Sequence, residues 1–86
     1  MFWPKNLNEA ISKLRLEYSV EQLDEISRMT YDEFEDKFLF LGTWIRNYFG
    51  LWRGNYDLLI TFDKDDASAD NVSSIIMKEF YNSLQA

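Results

Sequence analysis

The chain has 86 residues, with fifteen Asp and Glu against nine Lys and Arg, a net charge of −6, and neither cysteine nor histidine. One domain with a modest core fits that length; disulfides, thiolate nucleophiles and thiolate metal sites are excluded, and the commonest general base and metal ligand at neutral pH is missing. The acidic balance opposes generic binding to DNA or to an anionic membrane surface, and favours a partner of basic character if charge steers binding at all.

Seven Phe, five Tyr and three Trp stand in a composition that is 47% hydrophobic, so the core is expected to be built from large rings. Helix signals then follow one another along the chain. Asn6 with Glu9 fits a capping start, and Leu7, Ala10, Ile11 and Leu14 recur at 0, 3, 4 and 7. This predicts a first helix from about residue 7 to 17. Ser19 with Gln22 forms the next capping box, with Tyr18 placed to staple onto Leu23, and a short second helix is expected to about Arg28.

Thr30 with Glu33 repeats the device, and Asp32 and Glu33 lie in the first turn, where the helix dipole favours negative charge. Phe34, Phe38, Leu41, Ile45 and Tyr48 follow at helical spacing, while Phe40 and Trp44 widen the apolar arc. A single long third helix is therefore expected, buried as the central one and ended by Gly50. Residues 56 to 62 alternate like a strand, but no second strand exists to pair with them, so a short helix is preferred. Ser68 caps a last helix with Val72, Ile75, Ile76, Phe80 and Leu84 on its buried side.

Several constellations invite chemistry and fail on inspection. Asp63, Asp65 and Asp66 suggest a calcium loop, but an EF-hand would need an oxygen ligand at Ala67, a glycine at Ser68 and a glutamate at Ser74. Glu33, Glu35 and Asp36, with Asp24 and Glu25, read as a solvated acidic face or a docking surface for a basic partner. Ser73 and Ser74 have no base to activate them, and Ser73 is small enough to let another helix approach. Glu79 falls between Val72, Ile75 and Ile76, and would need Arg46 or Arg53 as a partner if buried. No enzyme, cofactor or metal is expected.

The densest segment is Trp44-Ile45-Arg46-Asn47-Tyr48-Phe49-Gly50-Leu51-Trp52-Arg53-Gly54. Read as a binding site, it offers Trp44 and Trp52 as stacking faces, Arg46 and Arg53 as forked donors and Asn47 as an amide edge, and for an anionic ligand Trp52 or the following Tyr56 would stack. Read as structure, it fills the core with tryptophan, pairs Arg46 with an acid and lets Asn47 tie down the turn from Gly50 to Gly54. Gly42, one turn before Arg46, implies that something lies close against that face: another helix, a second protomer or a partner.

The segment resembles the core of a family of small bacterial domains of unknown function, marked here by Trp44-Ile45-Arg46-Asn47, Gly50-Leu51-Trp52 and Gly54. The likeness extends to Pro4-Lys5-Asn6-Leu7 with Glu9-Ala10-Ile11, and to Ser73-Ser74-Ile75-Ile76 with Phe80 and Leu84. It departs where the family carries a histidine-proline before the last helix, since Ser68-Ala69-Asp70-Asn71 stands there. The resemblance implies a compact helical module.

The resulting expectation is an all-α single domain over residues 1 to 86, a bundle of four to five short helices around an aromatic-rich central one. Its expected role is a cytoplasmic binding or inhibitor module acting stoichiometrically on another protein, of the toxin-neutralising or phage anti-defence type. The alternative is a binder of a nucleotide-like anionic ligand. In either case the candidate site residues are Gly42, Arg46, Asn47, Trp52, Arg53 and Tyr56, and a homodimer stays open.

Overall fold

A computed structural model describes residues 3–65 and 67–85; Asp66 of the expected acidic loop lies outside the described residues. Six helices follow in order: α1 Leu7–Leu16, α2 Val20–Ser27, α3 Tyr31–Lys37, α4 Leu41–Tyr48, α5 Tyr56–Leu59 and α6 Ala69–Ser83. No strand occurs among the described residues. The all-α reading holds, and residues 56 to 59 are helical rather than extended.

Local polar chemistry starts the helices where the sequence places them. Ser19 and Gln22 form a reciprocal capping box on α2, and Thr30 and Glu33 form another on α3. The Asn6 side chain accepts from the Glu9 N–H at 2.9 Å, while the Glu9 carboxylate accepts from the Lys5 N–H instead of completing the box. Hydrogen bonds from the backbone and then the hydroxyl of Thr30 hold the Glu33 carboxyl below its ordinary pKa. A folded-state pKa lowered in this way stabilises the fold above the unfolded value and is lost as pH falls through the folded one. Glu33→Gln keeps an accepting oxygen but removes this titration. Between about pH 7 and about pH 3 the variant should therefore lose less urea resistance than the parent chain.

The central helix is α6, against which α1, α3 and α4 all pack. It is the longest, and its Val72, Ser73, Ile76 and Phe80 are fully buried. Ser73 does what a small residue should on that face, since α4 approaches there. At the other end an aromatic cluster joins α3 to α6. The Phe34 ring lies 5.5 Å from Tyr81 and 6.2 Å from Phe80, and Tyr18 stacks on Phe80 at 5.8 Å. Tyr81 donates its hydroxyl to the Met29 carbonyl, tying α6 to the start of α3. Complete burial of Phe34 and Phe80 contributes about 1.5–3 kcal/mol each.

The expected long third helix is broken in two. The Phe38 N–H closes the last turn of α3 on the Phe34 carbonyl at 2.9 Å. Phe38 itself leaves helical geometry at φ −115°, ψ 45°, and α4 begins afresh after Phe40 without a side-chain cap. Neither glycine nor proline stands at the break, so packing imposes it: α3 and α4 each reach α6 separately, at different places. Two expectations fall with the continuous helix. Phe40 is 81% exposed instead of widening a buried arc, and Tyr48 is more than half exposed. Glu79 also departs from expectation. It lies exposed on α6 and pairs with neither Arg46 nor Arg53.

Candidate functional site

The Trp-Arg segment divides at Gly50. Phe49 caps α4, and the Leu51 N–H reaches back to the Arg46 carbonyl at 3.1 Å, the six-to-one bond of a Schellman stop. Gly50 supplies the left-handed residue this stop requires, at φ +68°. The turn is then held by a residue that sequence reasoning passed over. Asn55, only 4% exposed, donates its two amide protons to the carbonyls of Pro4 at 2.9 Å and Phe49 at 2.7 Å. Its oxygen accepts the Leu58 N–H at 3.3 Å and so caps α5. The expected turn-binder, Asn47, lies exposed on α4 with no side-chain hydrogen bond among the described residues. The available signal was an asparagine directly before a short apolar helix, a preferred capping position.

Arg46 is held in place by α4, α6 and the turn together. Its side chain is 20% exposed; Nη1 donates to Ser73 Oγ and Nη2 to Thr43 Oγ1, each at 3.0 Å. The Ser73 hydroxyl in turn donates to the Asp70 carbonyl. The guanidinium carbon sits 5.3 Å from the centre of the Trp52 ring, a cation–π arrangement. Nε makes no hydrogen bond, and the Asp70 carboxylate, 3.6 Å away, is too far for one. The interior acid expected for Arg46 is thus an exposed aspartate at the first turn of α6. Gly42 explains itself here: a Cβ at that position would lie 3.3 Å from Arg46 Nη1 and 3.7 Å from Met77 Sδ. The close neighbour is the guanidinium and α6.

Of the six candidate residues, the structure brings Gly42, Arg46 and Trp52 together. Arg53, within the turn, and Tyr56, just after it, are exposed, with Ile60 nearby in sequence and also exposed. Arg53 makes no ion pair or side-chain hydrogen bond among the described residues. Arg46→Ala should cost about 1–2 kcal/mol in urea unfolding and red-shift tryptophan emission as Trp52 loses its cover. Arg53→Ala should stay within about 0.5 kcal/mol of the parent. Equal destabilisation by both variants would refute this division of roles.

A second surface owes its existence to the break between α3 and α4. Leu39 and Phe40 project from the junction, and beside them opens a groove of about 450 Å³ lined by Leu14, Tyr18, Phe38, Leu41 and Trp44. A neighbouring concavity of about 360 Å³, bounded by Leu16, Tyr48 and Phe49, shares Trp44 and Glu17 with the first. Trp44 stacks on Tyr48 with ring centres 4.7 Å apart, which gives the two depressions a common aromatic wall. Sequence periodicity assigned Phe40, Trp44 and Tyr48 to the core and so hid this surface.

Among the described residues no cluster of acidic side chains could hold a metal ion, and no helix is long and apolar enough to cross a membrane. The sequence model of a domain of unknown function, DUF6794, matches residues 3–84. The chain belongs to that family. No curated protein and no solved structure matches it significantly. The match runs from the exposed Trp3 beside Gly50 to the end of α6, so the DUF6794 unit includes the turn, the Arg46 cluster and the apolar groove alike.

Proposed function

We propose that the chain is a non-enzymatic binding module that acts in the bacterial cytoplasm by stoichiometric association with another protein, as toxin-neutralising and phage anti-defence inhibitors do. The observation that carries this reading is the exposed apolar surface at the α3–α4 junction. Leu39, Phe40 and Tyr48 stand in solvent beside a groove walled by Trp44; Trp52, Tyr56 and Ile60 are exposed as well, but they line no comparable groove among the described residues. Contiguous exposed apolar surface of this kind characterises interaction sites, and aromatic side chains are enriched there.

The alternative, a nucleotide-like anion held by Arg46 and Arg53, has less support. The Arg46 side chain is only 20% exposed and spends one N–H of each Nη on Ser73 and Thr43, so a ligand would meet chiefly the exposed Arg53. Affinity capture with the tagged chain from its native host should recover one partner saturably, in a complex of fixed stoichiometry by light scattering. Failure to recover any specific partner, together with thermal stabilisation by a nucleotide, would replace this reading with the alternative.

A further inference from the structure

We propose that the groove between α1 and the α3–α4 junction takes an amphipathic helix of the partner protein, with a Phe or Leu anchor on its apolar face and Arg or Lys on its flanks. This rests on the reading of the chain as a protein-binding module and adds the place and the chemistry of docking.

The floor of the groove is apolar, formed by Leu14, Phe38, Leu41 and Trp44, and its volume of about 450 Å³ suits one large side chain with part of the turn that carries it. The adjoining concavity, reached past Trp44, offers Leu16 and Tyr48 for a second anchor. The two depressions adjoin, sharing Glu17 and Trp44, and a helix can present two anchors from one face at positions three, four or seven apart.

Charge at the rim chooses the partner. Glu17 and Asp36 border the groove, and neither makes an ion pair or side-chain hydrogen bond among the described residues. Of the two cations that line the groove and its neighbour, Lys37 is held by Glu25 and Lys13 lies in the adjoining concavity, so the end of the groove beside Phe38 and Phe40 stays acidic. Arg or Lys beside the anchor would meet those two carboxylates, and a chain of net charge −6 would draw such a partner in.

The conformation of the partner follows from its backbone. No strand edge is offered among the described residues, so an extended peptide would lay unpaired N–H and C=O groups on an apolar floor. A helix satisfies its own. A second copy of this chain fits poorly, because a two-fold contact here would bring Glu17 and Asp36 of both protomers to one interface.

Two synthetic helical peptides with the same Leu and Phe face, one flanked by Arg and Lys and the other by Glu, can be titrated into the full chain and followed by calorimetry and amide chemical shifts. The basic peptide should bind ~10-fold or more tightly than the acidic one, with shifts centred on the end of α1 and the start of α4. Phe40→Ser, at a position that contributes little to the core, should weaken binding ~10-fold or more with an unchanged melting temperature. Reversing the rim with Glu17→Lys and Asp36→Lys should invert the preference between the peptides.

Equal binding of both peptides, binding of neither, shifts centred on Trp52, or self-association through Phe40 would each overturn the proposal. The module reading is tested separately. A captured partner that tolerates Phe40→Ser but is lost with Trp52→Ala would leave that reading standing and remove this one.

Discussion

Asn55→Ala is expected to lower the unfolding free energy by about 2–4 kcal/mol, measured by urea denaturation followed in the far ultraviolet. The amide of Asn55 is buried and satisfies three backbone groups that lie far apart in the chain. Its donors hold the carbonyls of Pro4 and Phe49, and its oxygen holds the Leu58 N–H. Alanine leaves Pro4, itself buried, and Phe49 with carbonyls that no water can easily reach. Asn55→Asp is the sharper control. At neutral pH the carboxylate would face two carbonyl oxygens with no proton to offer, and should destabilise at least as much as alanine. On acidification the protonated acid regains one donor, so that variant alone should recover part of its stability relative to the parent. A loss under about 0.5 kcal/mol for Asn55→Ala would mean that the amide does not hold the turn.

Gly50→Ala should cost about 2–3 kcal/mol, from two separable sources. The left-handed backbone at φ +68° disfavours any Cβ by about 1–2 kcal/mol. In addition, a Cβ there would overlap the Trp3 indole, which covers the glycine. Trp3→Ala in the same chain should relieve the second cost and leave the first, so the two substitutions should be non-additive in thermal unfolding. Simple additivity would show that Trp3 does not rest on the turn. The same packing links the N-terminal segment to the end of α4, through Trp3 on Gly50 and Pro4 on Asn55.

Much of the fold was legible because its causes are local. Ser19, Thr30 and Ser68 cap the helices they were expected to start, and Gly50 ends α4 in the left-handed conformation glycine permits. The preference for helix over residues 56 to 62 followed from the want of a pairing strand, and helix forms over Tyr56–Leu59 alone, the chain turning at 60 to 62. Gly42 correctly announced a close neighbour, though its identity, the guanidinium of Arg46 beside Met77, depends on how α4 meets α6.

The candidate site was legible as residue types and illegible as faces. Arg46 and Trp52 do come together, but across a turn whose shape rests on Asn55. Arg46 takes hydroxyls of Thr43 and Ser73 as its partners, while Glu79, the acid that periodicity nominated, stays in solvent. The apolar groove was missed for one reason. Phe34, Phe38, Leu41, Ile45 and Tyr48 keep helical spacing across residues 38 to 40, and nothing in that tripeptide breaks a helix on its own.

By itself the amino-acid sequence determined the helical class, most helix starts, the stop at Gly50 and the lack of histidine and cysteine chemistry. Those features depend on hydrogen bonds and backbone preferences within a few residues. Only the tertiary structure decided that α6 is central, that the third helix splits, that Arg46 bonds Ser73 and Thr43 and that Phe40 faces solvent. Each of these depends on which surfaces can be buried together: Phe34 packs on Phe80 and Tyr81 of α6 while Arg46 reaches Ser73 of the same helix, contacts between residues distant in sequence that no local preference encodes.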